Sequence, residues 1–218
     1  AYFPVVTPKE QELWLVGSAD SATDRESLWY FLQQTPLNTR RRNVLLQKIE
    51  QPTRVATANP ETVPFIVVAD PTLAKADDLL RFMEQGGRVL LVVPSDPQEF
   101  DSASELIGKL FGASQVTIRN CDRDNDYAML ASIDFANPLM QPFADPRFSD
   151  FSQIRFWQHR IVERNDSGAW KVVASFDDNS PALVEHRVGE GLVWFLASGW
   201  KASDSQLAMS TKFVPLLY

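Results

Sequence analysis

Ser95 and Asp96 stand between two prolines, in Pro94-Ser95-Asp96-Pro97, directly after the apolar run Arg88-Val89-Leu90-Leu91-Val92-Val93. A serine at that point is where an α/β hydrolase places its nucleophile, on a sharp strand-to-helix elbow with a base within hydrogen-bond reach. Neither Gly-x-Ser-x-Gly nor its cysteine equivalent occurs there, and the prolines restrict the backbone instead. The expectation is a rigid corner with no activated nucleophile. Asp20, Asp70 and Asp96 also follow apolar runs and could together hold a divalent cation, since oxygen ligands suit magnesium or calcium. Asp ahead of a helix, and the Asp-Pro and Ser-Asp-Pro turns in which these residues occur, are more often caps, so no metal is assigned. Gly17-Ser18-Ala19-Asp20 offers one glycine and an acid, which makes neither a P-loop nor a dinucleotide fingerprint. No cofactor is expected.

Cys121, in Arg119-Asn120-Cys121-Asp122-Arg123-Asp124, is the single cysteine; it excludes an internal disulfide and a Cys-rich zinc site. Its acidic and basic neighbours act on a thiolate in opposite senses, so no activation can be argued and it is read as a bystander. His159 and His186 each fall inside an expected strand rather than at its end, and both are read as sheet-surface histidines. Glu185 cannot pair with His186, because successive strand residues face opposite sides of the sheet.

The elements that position these residues are legible from hydrophobic pattern. Glu12–Val16 reads as a strand buried on both faces, halted by Gly17. Thr23 and Glu26 have capping-box spacing ahead of Leu28, Trp29, Phe31 and Leu32, a helix that Pro36 stops. The pattern repeats less cleanly across 44–57 and sharply at Phe65-Ile66-Val67-Val68. Leu73, Ala76, Leu79, Leu80 and Met83 then fall at helical spacing, with Gly86-Gly87 as the stop. The strand Val89–Val93 follows, and after it a helix with Phe100, Ala103, Ile107, Leu110 and Phe111 on one face. Alternation of this kind implies right-handed βαβ crossovers and a mostly parallel sheet with helices on both faces, an α/β fold.

Beyond about residue 112 the chain turns β-rich. Segments 154–164 and 170–176 flank Asn165-Asp166-Ser167-Gly168 as an expected hairpin, with Trp170, Val172, Ala174 and Phe176 alternating toward one face. A second hairpin turns at Gly189-Glu190-Gly191, and its last strand, Leu192–Ala197, is apolar enough to rejoin the parallel sheet. No linker separates the halves, so one domain over 1–218 is expected, a βαβ-repeating half (1–112) and a β-rich elaboration (113–218). Open α/β sheets bind ligands beyond the carboxyl ends of their strands. The candidate ligand-binding residues are therefore Ser18, Asp20, Asp70, Ser95, Asp96 and Trp200, with no catalytic residue assigned. Phe148, Phe151, Phe156 and Trp157 are read as core rather than as a partner surface.

With 218 residues and a formal net charge of −7, the chain is a poor match for nucleic acid, which needs clustered Lys and Arg. Arg40-Arg41-Arg42 reads as a solvated connector. No apolar run approaches the roughly 18 residues of a membrane span, and the first residues lack a signal-peptide pattern.

Phe82-Met83-Glu84-Gln85-Gly86-Gly87-Arg88-Val89-Leu90-Leu91-Val92 resembles the helix, Gly-Gly, buried-strand segment of class I glutamine-amidotransferase-like domains. The stretch from Pro181 to Gly199, with Phe213-Val214-Pro215-Leu216-Leu217, is similar to the end of such domains in Bat-type, aerotolerance-related bacterial membrane proteins. In that family the domain follows an N-terminal double-transmembrane segment, often with a von Willebrand A domain between. Working amidotransferases use a cysteine at the elbow and a late His-x-Glu pair; neither occurs here, so no catalytic residue carries over. The resemblance implies a flavodoxin-like three-layer sandwich, a membrane-anchored parent protein with this domain outside the cytoplasm, and partners among other protein domains, the von Willebrand A domain included. The function expected is a non-catalytic interaction or ligand-sensing domain. Two alternatives are a hydrolase or amidotransferase-like enzyme using Ser95 or the rim aspartates, and an envelope-binding module presenting aromatics on one face.

Overall fold

A computed structural model of the chain describes residues 9–17, 25–39, 42–121 and 126–217. The first half alternates β1 (Lys9–Val16), α1 (Leu28–Gln34), β2 (Arg42–Ile49), α2 (Pro52–Val55), β3 (Phe65–Val68), α3 (Ala76–Glu84), β4 (Arg88–Val92) and α4 (Phe100–Phe111). The β-rich half follows with β5 (Val116–Asn120), β6 (Leu130–Ile133), β7 (Arg160–Arg164), β8 (Lys171–Phe176), β9 (Pro181–Val188), β10 (Gly191–Leu196) and a terminal turn of helix, α5 (Phe213–Leu216). Among the described residues an eight-stranded sheet runs β2-β1-β3-β4-β10-β9-β8-β6, so both halves share one sheet. From β2 to β10 all pairings are parallel; β9, β8 and β6 extend the edge antiparallel. The expected α/β class and the return of the last strand to the parallel sheet are both found, and that strand pairs with β4.

Burial follows the sequence pattern because strands covered on both faces need apolar residues throughout. Ile66, Val67 and Val68 are fully buried, as are Val89 and Leu91, each such side chain contributing roughly 1.5–3 kcal/mol relative to exposure. Phe111 of α4 packs on Phe195 of β10 with ring centroids 5.3 Å apart. Trp194 and Leu196 project to the other side by strand alternation, where with Phe65, Leu90 and Phe213 of the C-terminal segment they border an apolar cavity of about 180 Å³. Gly86 (φ +95°) ends the turn after α3 as expected, and Gly112 (φ +61°) caps α4.

Close approach, not φ, dictates Gly191: a Cβ there would run into the carbonyl oxygens of Gly87 and Met83. Gly191→Ala is expected to lower stability by about 1–3 kcal/mol through overpacking, read as a lower urea midpoint at constant slope.

Three local expectations are corrected. The 165–168 turn does not close a hairpin: β7 pairs antiparallel with β5 in a separate two-stranded sheet, and β8 lies between β6 and β9. Asp166 explains the bend, since its carboxylate accepts from the Ser114 and Gly168 N–H groups and pairs with Arg164. The even alternation of 170–176 is broken by bulges in the β8–β9 register, which leave Val172 exposed while Val173 and Ala174 are buried. The first helix is capped by Ser27, whose Oγ accepts from the Trp29 N–H at 3.2 Å, while Thr23 of the expected capping box lies outside the described residues.

Candidate functional site

At the carboxyl ends of β1, β3 and β4 the sheet opens into a cavity of about 280 Å³ whose polar lining includes Ser27, Asp70, Ser95, Asp96, Glu99, Arg160, Lys201 and Asp204. Three of the sequence candidates, Asp70, Ser95 and Asp96, meet there. Ser18 and Asp20 lie outside the described residues.

Asp70 and Asp96 serve as caps as well as lining. One oxygen of Asp70 accepts from the Thr72 N–H (2.9 Å) and hydroxyl (2.6 Å), starting a 3-10 turn at Pro71. Asp96 Oδ1 accepts from the Gln98 N–H at 2.9 Å ahead of Pro97 in the same way. The sequence favours both turns because proline presets φ at the first helical position and has no N–H to satisfy. Ser95 makes no side-chain hydrogen bond among the described residues, and neither histidine lines the cavity.

Beneath the proline corner lies a feature that sequence reasoning missed. Arg160 opens β7 and is 1% exposed; its Nε donates to the Pro94 carbonyl at 2.7 Å and its Nη1 to the Gln158 carbonyl at 3.3 Å. Its Nη2 stands 3.5 Å from Oδ1 of Asp204, which is 2% exposed. That distance is long for a hydrogen bond, and Asp204 Oδ1 is the buried side-chain polar atom, among the described residues, left without a hydrogen-bond partner. Gly199 makes room for this carboxylate, since a Cβ there would strike Asp204 Oδ2.

Burial pushes the Asp204 carboxyl above its ordinary pKa, against the opposing pull of Arg160 and Lys201. Glu99 is raised too, by burial first and then by Asp70 and Asp96, with Lys201 opposing. A carboxyl whose folded pKa is raised destabilises the fold fully above that pKa, and the penalty fades as pH falls toward the unfolded value near 4. Glu99→Gln is therefore expected to raise stability at pH 7 and leave it unchanged below pH of about 4, a difference read from urea denaturation at the two pH values.

Trp200 is corrected from ligand residue to core. It is 1% exposed, its Nε1 donates to the Leu28 carbonyl at 3.0 Å, and it borders the apolar cavity on the sheet face rather than the polar one at the rim. His159 is corrected as well: it precedes β7 rather than lying inside it, is 3% exposed, and faces Asp178. His186 is exposed on β9 with Glu185 buried, as strand alternation requires. The aromatics expected in the core divide, Phe151 and Phe156 being buried and Phe148 and Trp157 exposed.

The site thus defined is a polar, net acidic cavity at the sheet rim of an α/β fold with a mostly parallel eight-stranded sheet. No family model matches the chain, and no curated protein matches it. Solved structures do share the fold. A cytoplasmic protein of Salmonella typhimurium LT2 superposes with a TM-score of 0.58 at 11% identity, covering 95% of this chain and 96% of that one. A second Salmonella typhimurium cytoplasmic protein gives 0.56 at 13% identity, with 95% and 96% coverage. A β-galactosidase from Bacillus circulans sp. alkalophilus gives 0.53 at 11% identity, covering 95% of this chain and 30% of its own length. The chain accordingly spans about a third of the glycosidases it matches and nearly all of the two Salmonella proteins. In the described residues no helix is long and apolar enough to cross a membrane.

Proposed function

We propose that this chain is a non-catalytic ligand-sensing domain that captures a small, donor-bearing polar molecule, an amine or an amino sugar, in the rim cavity. The observation that carries the reading is the acid excess of the cavity lining, where Asp70, Asp96 and Glu99 outnumber Arg160 and Lys201. A ligand N–H or O–H donor that enters the cavity would gain from this acidic surround. The strand order β2-β1-β3-β4-β10 supports a flavodoxin-like, amidotransferase-like scaffold. Function is grafted onto such scaffolds rather than dictated by them. By its resemblance to Bat-type proteins, the domain belongs to a membrane-anchored bacterial parent and relays occupancy through contacts with other domains, a von Willebrand A domain among them.

The enzyme reading keeps one supporting observation, that Ser95 and Lys201 line the same cavity. One experiment separates the two. Calorimetric titration with spermidine and with glucosamine is expected to give saturable binding of at least one probe, weakened in Asp96→Asn and Glu99→Gln. Absence of binding by both probes overturns the sensing reading. Hydrolysis of p-nitrophenyl acetate or of glutamine that disappears in Ser95→Ala overturns it in favour of an enzyme.

A further inference from the structure

Outside the rim cavity, the fold brings together chemically unlike donor atoms from three places in the chain. Cys121 follows the last residue of β5, and its N–H donates to the His159 carbonyl at 3.0 Å, continuing the β5–β7 ladder. Asp178 lies in the turn between β8 and β9 of the main sheet. Cys121 Sγ, His159 Nε2 and an Asp178 carboxylate oxygen all fall within 4.8 Å of one another, with His159 buried and the other two half-buried. Asp178 Oδ2 is 2.9 Å from His159 Nε2 and 3.6 Å from the Cys121 sulfur.

We propose that Cys121, His159 and Asp178 form a binding site for one zinc-class divalent transition-metal ion. Bond lengths of about 2.0–2.3 Å to a tetrahedral ion place its ligand atoms roughly 3.3–3.7 Å apart. The Cys121–Asp178 separation already matches, and the His159–Asp178 contact opens by about half an ångström. Thiolate and imidazole select a borderline-soft ion over magnesium or calcium. Three protein ligands leave a fourth position for water or another donor. Asp178 is pre-oriented, because its Oδ1 accepts from the Ser180 N–H at 2.9 Å and hydroxyl at 2.5 Å, which turns Oδ2 to the other two donors. Support of a ligating carboxylate by a second hydrogen-bonding layer is the arrangement metal sites use. The His159 ring, 4.3 Å from the Phe176 ring between centroids, is held in place by packing. Bound metal would tie the two-stranded sheet to the β8–β9 turn of the main one.

Cobalt(II) titration of the reduced, chelator-treated protein tests the site, because cobalt bound by thiolate gives a near-ultraviolet charge-transfer band that nitrogen and oxygen ligands do not. The expected result is one cobalt per chain with that band, displaced by zinc. Cys121→Ser, at a half-buried position, should remove the band. Ser180→Ala should keep it while weakening binding roughly 10–100-fold. Failure of the band to appear in the wild-type protein overturns the proposal, and so does a band or an unchanged affinity in Cys121→Ser.

Discussion

Replacement of Arg160 by methionine is expected to destabilise the protein by about 3–5 kcal/mol, the range seen when one partner of a buried ion pair is removed. The guanidinium is 1% exposed and Asp204 is 2% exposed, so solvent cannot take over either role. Losing it strands the Asp204 carboxylate and orphans the Pro94 carbonyl, which Arg160 holds at 2.7 Å. The corner that borders the rim cavity loses its support from below. Without Arg160 the raised Asp204 pKa rises further, so the penalty is full above that value and shrinks as pH falls toward about 4, where the unfolded state is protonated too. Asp204→Asn in the Arg160→Met background should recover part of the loss at pH 7, because no charge is then left buried. Urea denaturation of the single and double variants measures both; a cost under about 1 kcal/mol, the value of an exposed pair, would show that this pair does not support the corner.

Trp200→Ala is the second large effect, with an expected loss of about 3–5 kcal/mol for a fully buried aromatic side chain. Its Nε1 donates to the Leu28 carbonyl and its ring lies 5.4 Å from that of Phe213, so it joins α1 to the C-terminal segment across an apolar cavity. A lower urea midpoint with an unchanged slope is the expected reading. Trp200→Phe should keep most of the packing and cost about 1–3 kcal/mol for the carbonyl left without its donor. Were Trp200 a ligand-stacking residue at the rim, Trp200→Ala would weaken probe binding while leaving the urea midpoint in place.

Much of the scaffold could be read before any coordinates. The apolar runs at Phe65–Val68, Val89–Val93 and Leu192–Ala197 became adjacent strands of the sheet, and the glycine stop at Gly86 ended the turn after α3. Each of these signals is local, carried by periodicity or by one residue's conformational freedom. The expected hairpin at 165–168 failed for a complementary reason. Asn165-Asp166-Ser167-Gly168 specifies a bend, yet β7 found its partner in β5, whose paired residues lie forty to forty-eight positions earlier in the chain. Trp200 lies in the core and not at the rim because a position just after a strand does not fix which way its side chain turns.

The candidate sites divide along the same line. Asp70, Ser95 and Asp96 were legible, since strand ends and proline turns mark the rim in sequence. Arg160 carried no sequence signal, being one arginine at the start of a short strand, and nothing local in the sequence singles out Asp204. The sequence by itself determined an α/β chain whose fourth strand ends in a proline corner without the elbow of a nucleophile. Tertiary structure alone decided that Arg160 and Asp204 meet beneath that corner, and that Cys121, His159 and Asp178 converge elsewhere. Hydrophobic periodicity is written within each segment, whereas polar groups distant in sequence become neighbours only after the whole set of strand pairings has been chosen by collective burial.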